Sequence, residues 1–300
     1  MSCAMAEGRR TPLAQIHLTT KLLHSWVALL VPGTCRLCDR PLLHASAFAV
    51  CGRCLDQMQQ APLQNTCSIC SEPLPPEALI GAQQGEAGDR LCAACMSDRP
   101  AFVRATAFGL YEQLRSAIRL LKFEGMPSLA KPLGTMLAQA MLQQAAEAPR
   151  SLVVVPVPLF RGKRTYNQST LLARHALHTV RESAPEWNLT LRPNVLTRTR
   201  WTESQFLLTP TQRRENVRGA FKAGSTCSGT DILLVDDVYT TGATVKECTR
   251  VLLRAGARSV RVATLARAGR DVAVRWNLSA QLGTSPYAFA AVKEPAKMFP

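Results

Sequence analysis

The chain has 300 residues, 47% of them apolar, and carries 36 Lys and Arg against 21 Asp and Glu, for a formal charge of +15. That apolar share is ordinary for a globular protein with a buried core, and the length allows two domains or one domain with appendages. The charge predicts attraction to polyanions, but nucleic acids and phosphorylated metabolites answer that description equally.

Residues 1–31 form a leading segment, and residues 13–31 have the pattern of an amphipathic helix that packs on whatever follows. The most apolar early run, residues 26–31, is far shorter than the ~20 residues that cross a bilayer. No lipoprotein-type cleavage pattern precedes Cys35. A cytoplasmic protein is expected.

Eight of the eleven cysteines then form four Cys-x-x-Cys pairs: Cys35/Cys38, Cys51/Cys54, Cys67/Cys70 and Cys92/Cys95. Twelve residues separate the first pair from the second, twelve the second from the third, and twenty-one the third from the fourth. Two thiolates three positions apart at a tight turn reach one tetrahedral Zn²⁺, and a second such pair closes the site. Disulfides are the competing reading, but a cytoplasmic compartment disfavours them. Four pairs also exceed what a thioredoxin-like redox motif uses. Residues 32–100 therefore read as a double zinc ribbon holding two structural Zn²⁺. Pairing first with second and third with fourth is the simplest assignment, and the interleaved one stays open. Residues 73–90, rich in Pro, Gly, Gln and Glu, read as a loop inside the second ribbon.

Residues 101–270 alternate apolar strands with amphipathic helices. Residues 102–110 read as a strand, and residues 111–122 as a helix with Leu114, Ala117, Ile118 and Leu121 on one side. Lys122-Phe-Glu-Gly125 closes it. A longer helix over about 132–148 precedes a second strand, 151–157, whose end is bracketed by Pro156 and Pro158. Arg161-Gly-Lys-Arg-Thr-Tyr-Asn-Gln168 then forms a cationic loop that opens a helix over about 169–181. The three cations Arg161, Lys163 and Arg164 suit a pyrophosphate. His175 and His178 lie one helical turn apart with no third ligand near in sequence, and read as helix surface.

Residues 198–216 show no clear period and carry Arg198, Arg200, Arg213 and Arg214 with Trp201 and Phe206 between them. Guanidinium groups beside aromatic faces fit single-stranded nucleic acid, by phosphate contact and base stacking. They equally fit a mobile lid over a phosphate site. Between residues 160 and 222 there are twelve Lys and Arg against four Asp and Glu, so the positive excess gathers in this region. A last strand, 259–265, follows Gly256, and residues 271–300 read as a peripheral tail. The alternation predicts an α/β fold with a mainly parallel sheet and helices on both faces.

The most informative stretch is residues 231–244. Ile232-Leu-Leu-Val235 reads as a strand buried on both faces, and Asp236 and Asp237 stand where it ends. Val238 and Tyr239 lead into Thr240-Thr241-Gly242-Ala243-Thr244, a turn of hydroxyls and small residues, from which a helix opens through Val245, Cys248, Val251 and Leu252. Turn amides and a helix N-terminus would hold a phosphate, with Gly242 allowing close approach. The carboxylates would accept hydrogen bonds from vicinal ribose hydroxyls or stand beside Mg²⁺. Ligands in open parallel sheets collect at such strand ends.

Val235-Asp-Asp-Val-Tyr-Thr-Thr-Gly-Ala-Thr244 resembles the ribose-phosphate signature of type I phosphoribosyltransferases. That resemblance implies that Asp236 and Asp237 meet the ribose of phosphoribosyl pyrophosphate (PRPP) and that Thr240–Thr244 hold its 5-phosphate, with Val238 and Tyr239 also among the PRPP-binding residues. It also implies that the loop with Arg161, Lys163, Arg164, Asn167 and Gln168 meets pyrophosphate. The cysteine array, Lys122 in Leu-Lys-Phe-Glu-Gly, Pro156-Val-Pro158, Arg164-Thr-Tyr-Asn-Gln168, Gln205, and Arg214 with Asn216 together resemble the ComF family of bacterial competence proteins. The family usually has Arg-Gly-Phe-Asn-Gln where this chain has Arg-Thr-Tyr-Asn-Gln. The resemblance implies natural transformation, with single-stranded DNA and a DNA-uptake helicase or other competence proteins as partners. Gln205 and Asn216 then join Arg198, Arg200, Arg213 and Arg214 on a lid or DNA surface. Two readings stand side by side: a DNA-handling protein that binds PRPP, and an active transferase passing phosphoribose to an unidentified nitrogen acceptor.

Overall fold

A computed structural model describes residues 33–42, 49–60, 63–75, 90–160, 162, 165–202 and 208–269. The expected N-terminal helix, most of the 73–90 loop and the 271–300 tail lie outside the described residues, as do Arg161, Lys163, Arg164 and Gln205. The chain divides into two compact units, residues 1–60 and residues 61–300.

In the smaller unit an antiparallel bridge between Thr34 and Pro41 closes a knuckle around Cys35 and Cys38. The backbone N–H of Cys35 donates to Arg40 (2.8 Å) and that of Asp39 to Cys35 (2.8 Å). Asp39 takes a positive φ of 57° to turn the chain. Cys51 caps helix α1, Gly52–Gln59, whose first turn carries Cys54.

The same template recurs thirty-two residues later, in the larger unit. Thr66 bridges Pro73, Cys67 N–H donates to Glu72 (2.8 Å), Ser71 N–H donates to Cys67 (3.0 Å), and Ser71 has φ 55°. Cys92 caps the short helix α2, Ala93–Ser97, which carries Cys95. Each quartet thus combines one knuckle with one helix start. The groups that could hold a metal ion are sequential: Cys35, Cys38, Cys51 and Cys54 in one, Cys67, Cys70, Cys92 and Cys95 in the other.

The body of the larger unit is a five-stranded sheet in the order β1-β7-β6-β2-β3, with every pairing parallel. The strands are β1 (Ala105–Leu110), β2 (Ser151–Pro156), β3 (Asn188–Leu191), β6 (Asp231–Tyr239) and β7 (Ser259–Arg267). A separate antiparallel pair joins β4 (Leu196–Arg198) to β5 (Phe221–Ala223). The helices are α3 (Tyr111–Phe123), α4 (Ala130–Leu142), α5 (Gln168–Ser183), α6 (Pro210–Val217) and α7 (Ala243–Arg254). Parallel strands need crossovers, and these helices supply them.

β6 sits in the middle of the sheet, and Ile232–Val235 are fully buried. Ile232 and Leu234 pack in one cluster with Val245, Cys248 and Leu252 of α7. Leu233 alternates to the other face, where α4 and α5 pack together. Their approach is close: a Cβ on Gly134 would lie 2.5 Å from His175 Cβ. His175 is therefore a helix-packing residue, while His178 pairs with Glu182 at the surface. The expected strands and helices of this half are present, with a parallel α/β architecture as read from the sequence.

Residues 198–216, which lack a sequence period, contain α6. Thr209 and Gln212 form a capping box, with Gln212 N–H to Thr209 Oγ1 at 3.3 Å and Thr209 N–H to Gln212 Oε1 at 2.8 Å, and Pro210 sits in the first turn. This helix shows no continuous apolar stripe; a capping box starts it, and Arg213 and Val217 are its buried residues among those described.

The second quartet belongs to the core of its unit: Cys67, Cys70, Cys92 and Cys95 share a buried cluster with Phe102, Tyr239, Ala243 and Val245. Cys70→Ser is expected to lower the main melting transition by roughly 10 °C or more, since breaking a buried four-thiol cluster able to hold a metal costs upwards of ~4 kcal/mol. Cys38→Ser, in the other unit, should leave that transition within about 2 °C. Differential scanning calorimetry on the full chain reads both.

Candidate functional site

The chain leaves β2 toward the sheet edge at β3 and leaves β6 toward β7, so β2 and β6 flank the point where strand order reverses. Crevices outside the carboxyl ends of such strands are the ligand sites of open α/β sheets. Here the β2 and β6 ends are locked together, with Pro156 in register with Val235 and Val157 N–H donating to Val235 at 2.8 Å.

Asp236 and Asp237 emerge from β6 at this point. Strand alternation sends their side chains to opposite sides. Asp237 is only 3% exposed. Its Oδ1 lies 2.7 Å from Lys122 Nζ, at the end of α3. Its Oδ2 is buried and has no hydrogen-bond partner among the described residues. Asp236 Oδ1 accepts from Ser169 Oγ at 3.1 Å, in the first turn of α5, and from the N–H of Asp237 at 2.9 Å. Burial, and then the neighbouring Asp237 charge, raise the Asp236 carboxyl to about 7, while Lys122, the Asp237 N–H and Ser169 pull against that rise.

The cationic loop returns to this crevice. Asn167 caps α5, accepting from Ser169 N–H (3.0 Å) and donating Nδ2 to the Val157 carbonyl (2.9 Å). Gln168 is buried as the first residue of α5. The Tyr166 hydroxyl donates to the Leu121 carbonyl, next to Lys122. A phenylalanine at this position could not make that bond, so the departure from the family motif ties the loop to the end of α3.

The turn after β6 is built on Tyr239. Gly242 takes φ +77°, and a Cβ there would fall 2.3 Å from the Tyr239 hydroxyl oxygen. Both the backbone angle and the space under it require glycine. The buried Tyr239 ring, edge-on to Phe102 with centroids 6.3 Å apart, is a floor beneath the turn. Thr241 Oγ1 accepts from Ala243 N–H at 3.4 Å. Val238, Thr240, Thr241 and Thr244 are half-exposed around it, and Gly242 and Ala243 are buried. Ala243 begins α7, twelve residues long, which puts its unpaired N–H groups at this end of the sheet.

The arginine set divides. Arg198 stacks on Phe221 at 5.2 Å and donates to Thr202. Arg200 is exposed and donates to the carbonyls of Asn216 (3.0 Å) and Arg218 (2.9 Å). Arg214 is exposed beside Thr211, and Asn216 is half-buried. Arg213 is 3% exposed, its Nε donating to the Leu208 carbonyl at 3.0 Å, so the structure holds it inside α6's base and away from the surface. Trp201 is 55% exposed. Sequence reasoning gave Lys122 no part in this site and left out Ser169 altogether; the Leu-Lys-Phe-Glu-Gly motif was the available signal for the first, and nothing local marked the second.

Each cysteine quartet has its four Sγ atoms within 4.8 Å of one another. Burial opposes ionisation of Cys35, yet the N–H groups of Cys51, Leu37 and Cys38 bring it down to about 6. The Cys70 thiol, with the N–H groups of Cys92, Cys70 and Ile69, holds Cys67 down to about 4. Burial, then the neighbouring thiols, pushes Cys54 the other way, and the Cys67 thiol, then burial, does the same to Cys70. Four thiols so close cannot all ionise unaided; a divalent cation among them removes the conflict.

A family model for the phosphoribosyl transferase domain matches residues 134–278. The DNA utilization protein YhgH of Escherichia coli strain K12 is 30% identical over 250 residues, covering 80% of this chain and 99% of that protein. Its Salmonella typhi counterpart is 30% identical over 245 residues with the same coverage. Competence protein F of Haemophilus influenzae is 28% identical over 235 residues, 75% of this chain and 93% of that one. A hypoxanthine phosphoribosyltransferase structure from Staphylococcus aureus aligns over 48% of this chain and 64% of its own, at 18% identity and a TM-score of 0.28. With two cysteine quartets ahead of a phosphoribosyltransferase-type sheet, and with identity running nearly the full length of these relatives, the chain belongs to the ComF family of competence proteins.

Proposed function

We propose that this chain binds PRPP or a related ribose phosphate, with Mg²⁺, at the β2–β6 crevice, and couples that site to the handling of single-stranded DNA in natural transformation. The observation that carries the reading is the buried Asp237 Oδ2, which has no partner among the described residues. A desolvated carboxylate oxygen left bare is costly, and a ribose hydroxyl or a Mg²⁺-bound water would satisfy it. Asp236 would take the second hydroxyl, Thr240–Thr244 the 5-phosphate, and the loop bearing Arg161, Lys163, Arg164, Asn167 and Gln168 the pyrophosphate. Mg²⁺ would neutralise the pyrophosphate and share the acidic pair. The domain match and the relatives named for competence and DNA utilization support both halves.

Zn²⁺ is the ion that best suits two four-thiolate sites, which leave no open position for catalysis. For DNA, the exposed groups Arg200, Trp201 and Arg214 are the candidates, joined by Arg198 and Asn216 where the strand follows β4 and α6. A DNA-uptake helicase or another competence protein would deliver the strand. A site of this chemistry faces metabolites and DNA in the cytoplasm.

One observation favours a catalytic role for the same site. A carboxyl held near 7 is matched to proton transfer at neutral pH. In that reaction a nitrogen acceptor forms a bond to ribose C1 as the C1–O bond to pyrophosphate breaks. Pyrophosphate leaves with the electron pair, and the acceptor's proton passes to Asp236. Pyrophosphate release with a panel of nitrogen nucleophiles tests this reading.

Calorimetry should detect Mg²⁺-dependent PRPP binding, weakened at least about 30-fold by Asp237→Asn, the loss of a charged acceptor worth ~2 kcal/mol. No heat in the wild type at millimolar PRPP and Mg²⁺ would end the proposal.

The Asp236 carboxyl also sets a pH dependence. Its folded pKa is raised above the unfolded value, so the folded state keeps a proton that the unfolded chain has lost. Its stabilising contribution is complete below about pH 4 and disappears as pH rises through about 7. Asp236→Asn should therefore melt at a higher temperature than wild type above pH 7, with the gap closing toward pH 4. Thermal scans across that range check the sign.

For DNA, Arg214→Ala should reduce the salt slope of oligothymidine binding by about one while leaving the melting temperature alone. Arg213→Ala should do the reverse, destabilising α6's base with no change of slope.

A further inference from the structure

The two cysteine knuckles share a backbone template but differ at one position. Where the first knuckle has Arg40, exposed, the second has Glu72, 6% exposed. The template accepts either residue, since the knuckle contacts at this position are made by main chain: the carbonyl accepts from the first cysteine's N–H in both, and the Glu72 N–H also meets the Cys70 thiol. Glu72's side chain is therefore not required by the knuckle's own fold.

Its carboxylate meets Arg267, the last residue of β7, from which it is separated by 195 positions. Arg267 is 4% exposed. Its Nη2 donates to Glu72 Oε2, and its Nη1 donates to the carbonyl oxygens of Tyr239 (3.0 Å), Ala268 (3.0 Å) and Thr240. Its guanidinium also stacks on the Tyr239 ring, 4.3 Å from the centroid. A buried guanidinium needs a counter-ion, and Glu72 is that counter-ion.

The consequence lies on the far side of the peptide planes. All described peptide bonds are trans, and in a trans peptide the N–H points opposite to the C=O. If the carbonyls of Tyr239 and Thr240 are drawn toward Arg267, the N–H groups of Thr240 and Thr241 must face the other way, into the hydroxyl-lined turn. The stacked Tyr239 ring under Gly242 fixes the turn's depth at the same time.

We propose that Glu72 and Arg267 are positioning residues for the anion seat: the second cysteine knuckle holds Glu72, Glu72 holds Arg267, and Arg267 aims the Thr240 and Thr241 amides. The value of this arrangement rests on the ribose-phosphate reading above, but the geometry can be tested without it. A second, exposed link joins the same cysteine module to α7, from Lys246 Nζ to Asp98 Oδ2 at the end of α2, 2.7 Å apart.

The experiment uses the full chain as Glu72→Gln, Arg267→Lys and, as a control at the equivalent position of the first knuckle, Arg40→Gln. Backbone ¹⁵N relaxation reads the turn in the free protein. Order parameters of the Thr240 and Thr241 amides should fall from ~0.85 to below ~0.6 in Glu72→Gln and Arg267→Lys, with other loops and Arg40→Gln unchanged. Calorimetry should show affinity for ribose 5-phosphate reduced about tenfold or more, while inorganic pyrophosphate, which lacks the sugar phosphate, binds as before. Turn amides as rigid as in the wild type would overturn the proposal. So would loosening spread over the whole unit, which would make the pair merely structural; Glu72→Gln, which retains shape and one acceptor, covers the case in which Arg267→Lys fails to fold. If the turn loosens as expected but the wild type binds no ribose phosphate, the strut stands and the ligand assignment falls.

Discussion

Two acids on consecutive residues at the end of a strand buried on both faces are an electrostatic liability, and the surrounding architecture is organised by how that liability is managed. Desolvation and mutual repulsion favour protonation, as Asp236 registers. One ammonium, one hydroxyl and one backbone N–H are brought to oppose it, and they come from three different connections: the end of α3, the start of α5 and the strand itself. Compensation is incomplete, because Asp237 Oδ2 has no partner among the described residues. A protein gains nothing in stability from that geometry, and burying apolar groups in place of the pair would serve the core better. The incomplete compensation is the feature of this strand end on which the proposed ribose-phosphate site rests.

The cysteine modules show the same backbone put to unequal use. Bridges, knuckle hydrogen bonds and a left-handed residue recur at a fixed offset in both, Asp39 and Ser71 being one such matched pair. Yet only the second quartet lies in the hydrophobic cluster that also contains Tyr239 and Val245. Its Ser71 hydroxyl reaches the Ala105 carbonyl at 2.9 Å, and Ala105 N–H returns to Ile69 at 2.7 Å, so the module is bonded to the start of β1 by main chain as well as side chain. A cation in the second quartet would therefore stabilise the sheet it is built into, whereas one in the first would stabilise a unit that folds around it.

Local pattern carried much of this. The strand at 232–235, the acids that end it and the glycine turn were legible because all three are contiguous, and contiguity is what periodicity and motif reading detect. Cysteine spacing announced two metal-ligand groups, though not which pairs share a site, since both pairings satisfy the same spacing. What the sequence could not yield was any pairing set by the sheet order. Lys122 meets Asp237 only because α3 ends beside β6. Glu72 and Arg267 pair across 195 positions only because the fold brings the second knuckle against the end of β7. Helix α6 escaped because its signal lies in a cap, Thr209 with Gln212, and not in an apolar stripe. The edge strand β3 was missed for the related reason that four residues, Asn188–Leu191, are too few to establish a period.

Charge counting misled in an instructive way. Twelve cations between residues 160 and 222 suggest one broad basic face. The structure removes Arg213 from it by burial and engages Arg198 with an aromatic ring and a hydroxyl. Arg200, although exposed, spends donors on two carbonyls and so braces β4 against the end of α6. An arginine with five donors can brace a backbone and still present a charge to a phosphate, which a lysine cannot do as well. The basic excess of this region therefore includes a structural part, Arg198, Arg200 and Arg213, that holds the β4–β5 pair and α6 in place, while Arg214, Arg218 and Lys222 are among the described cations that stay exposed.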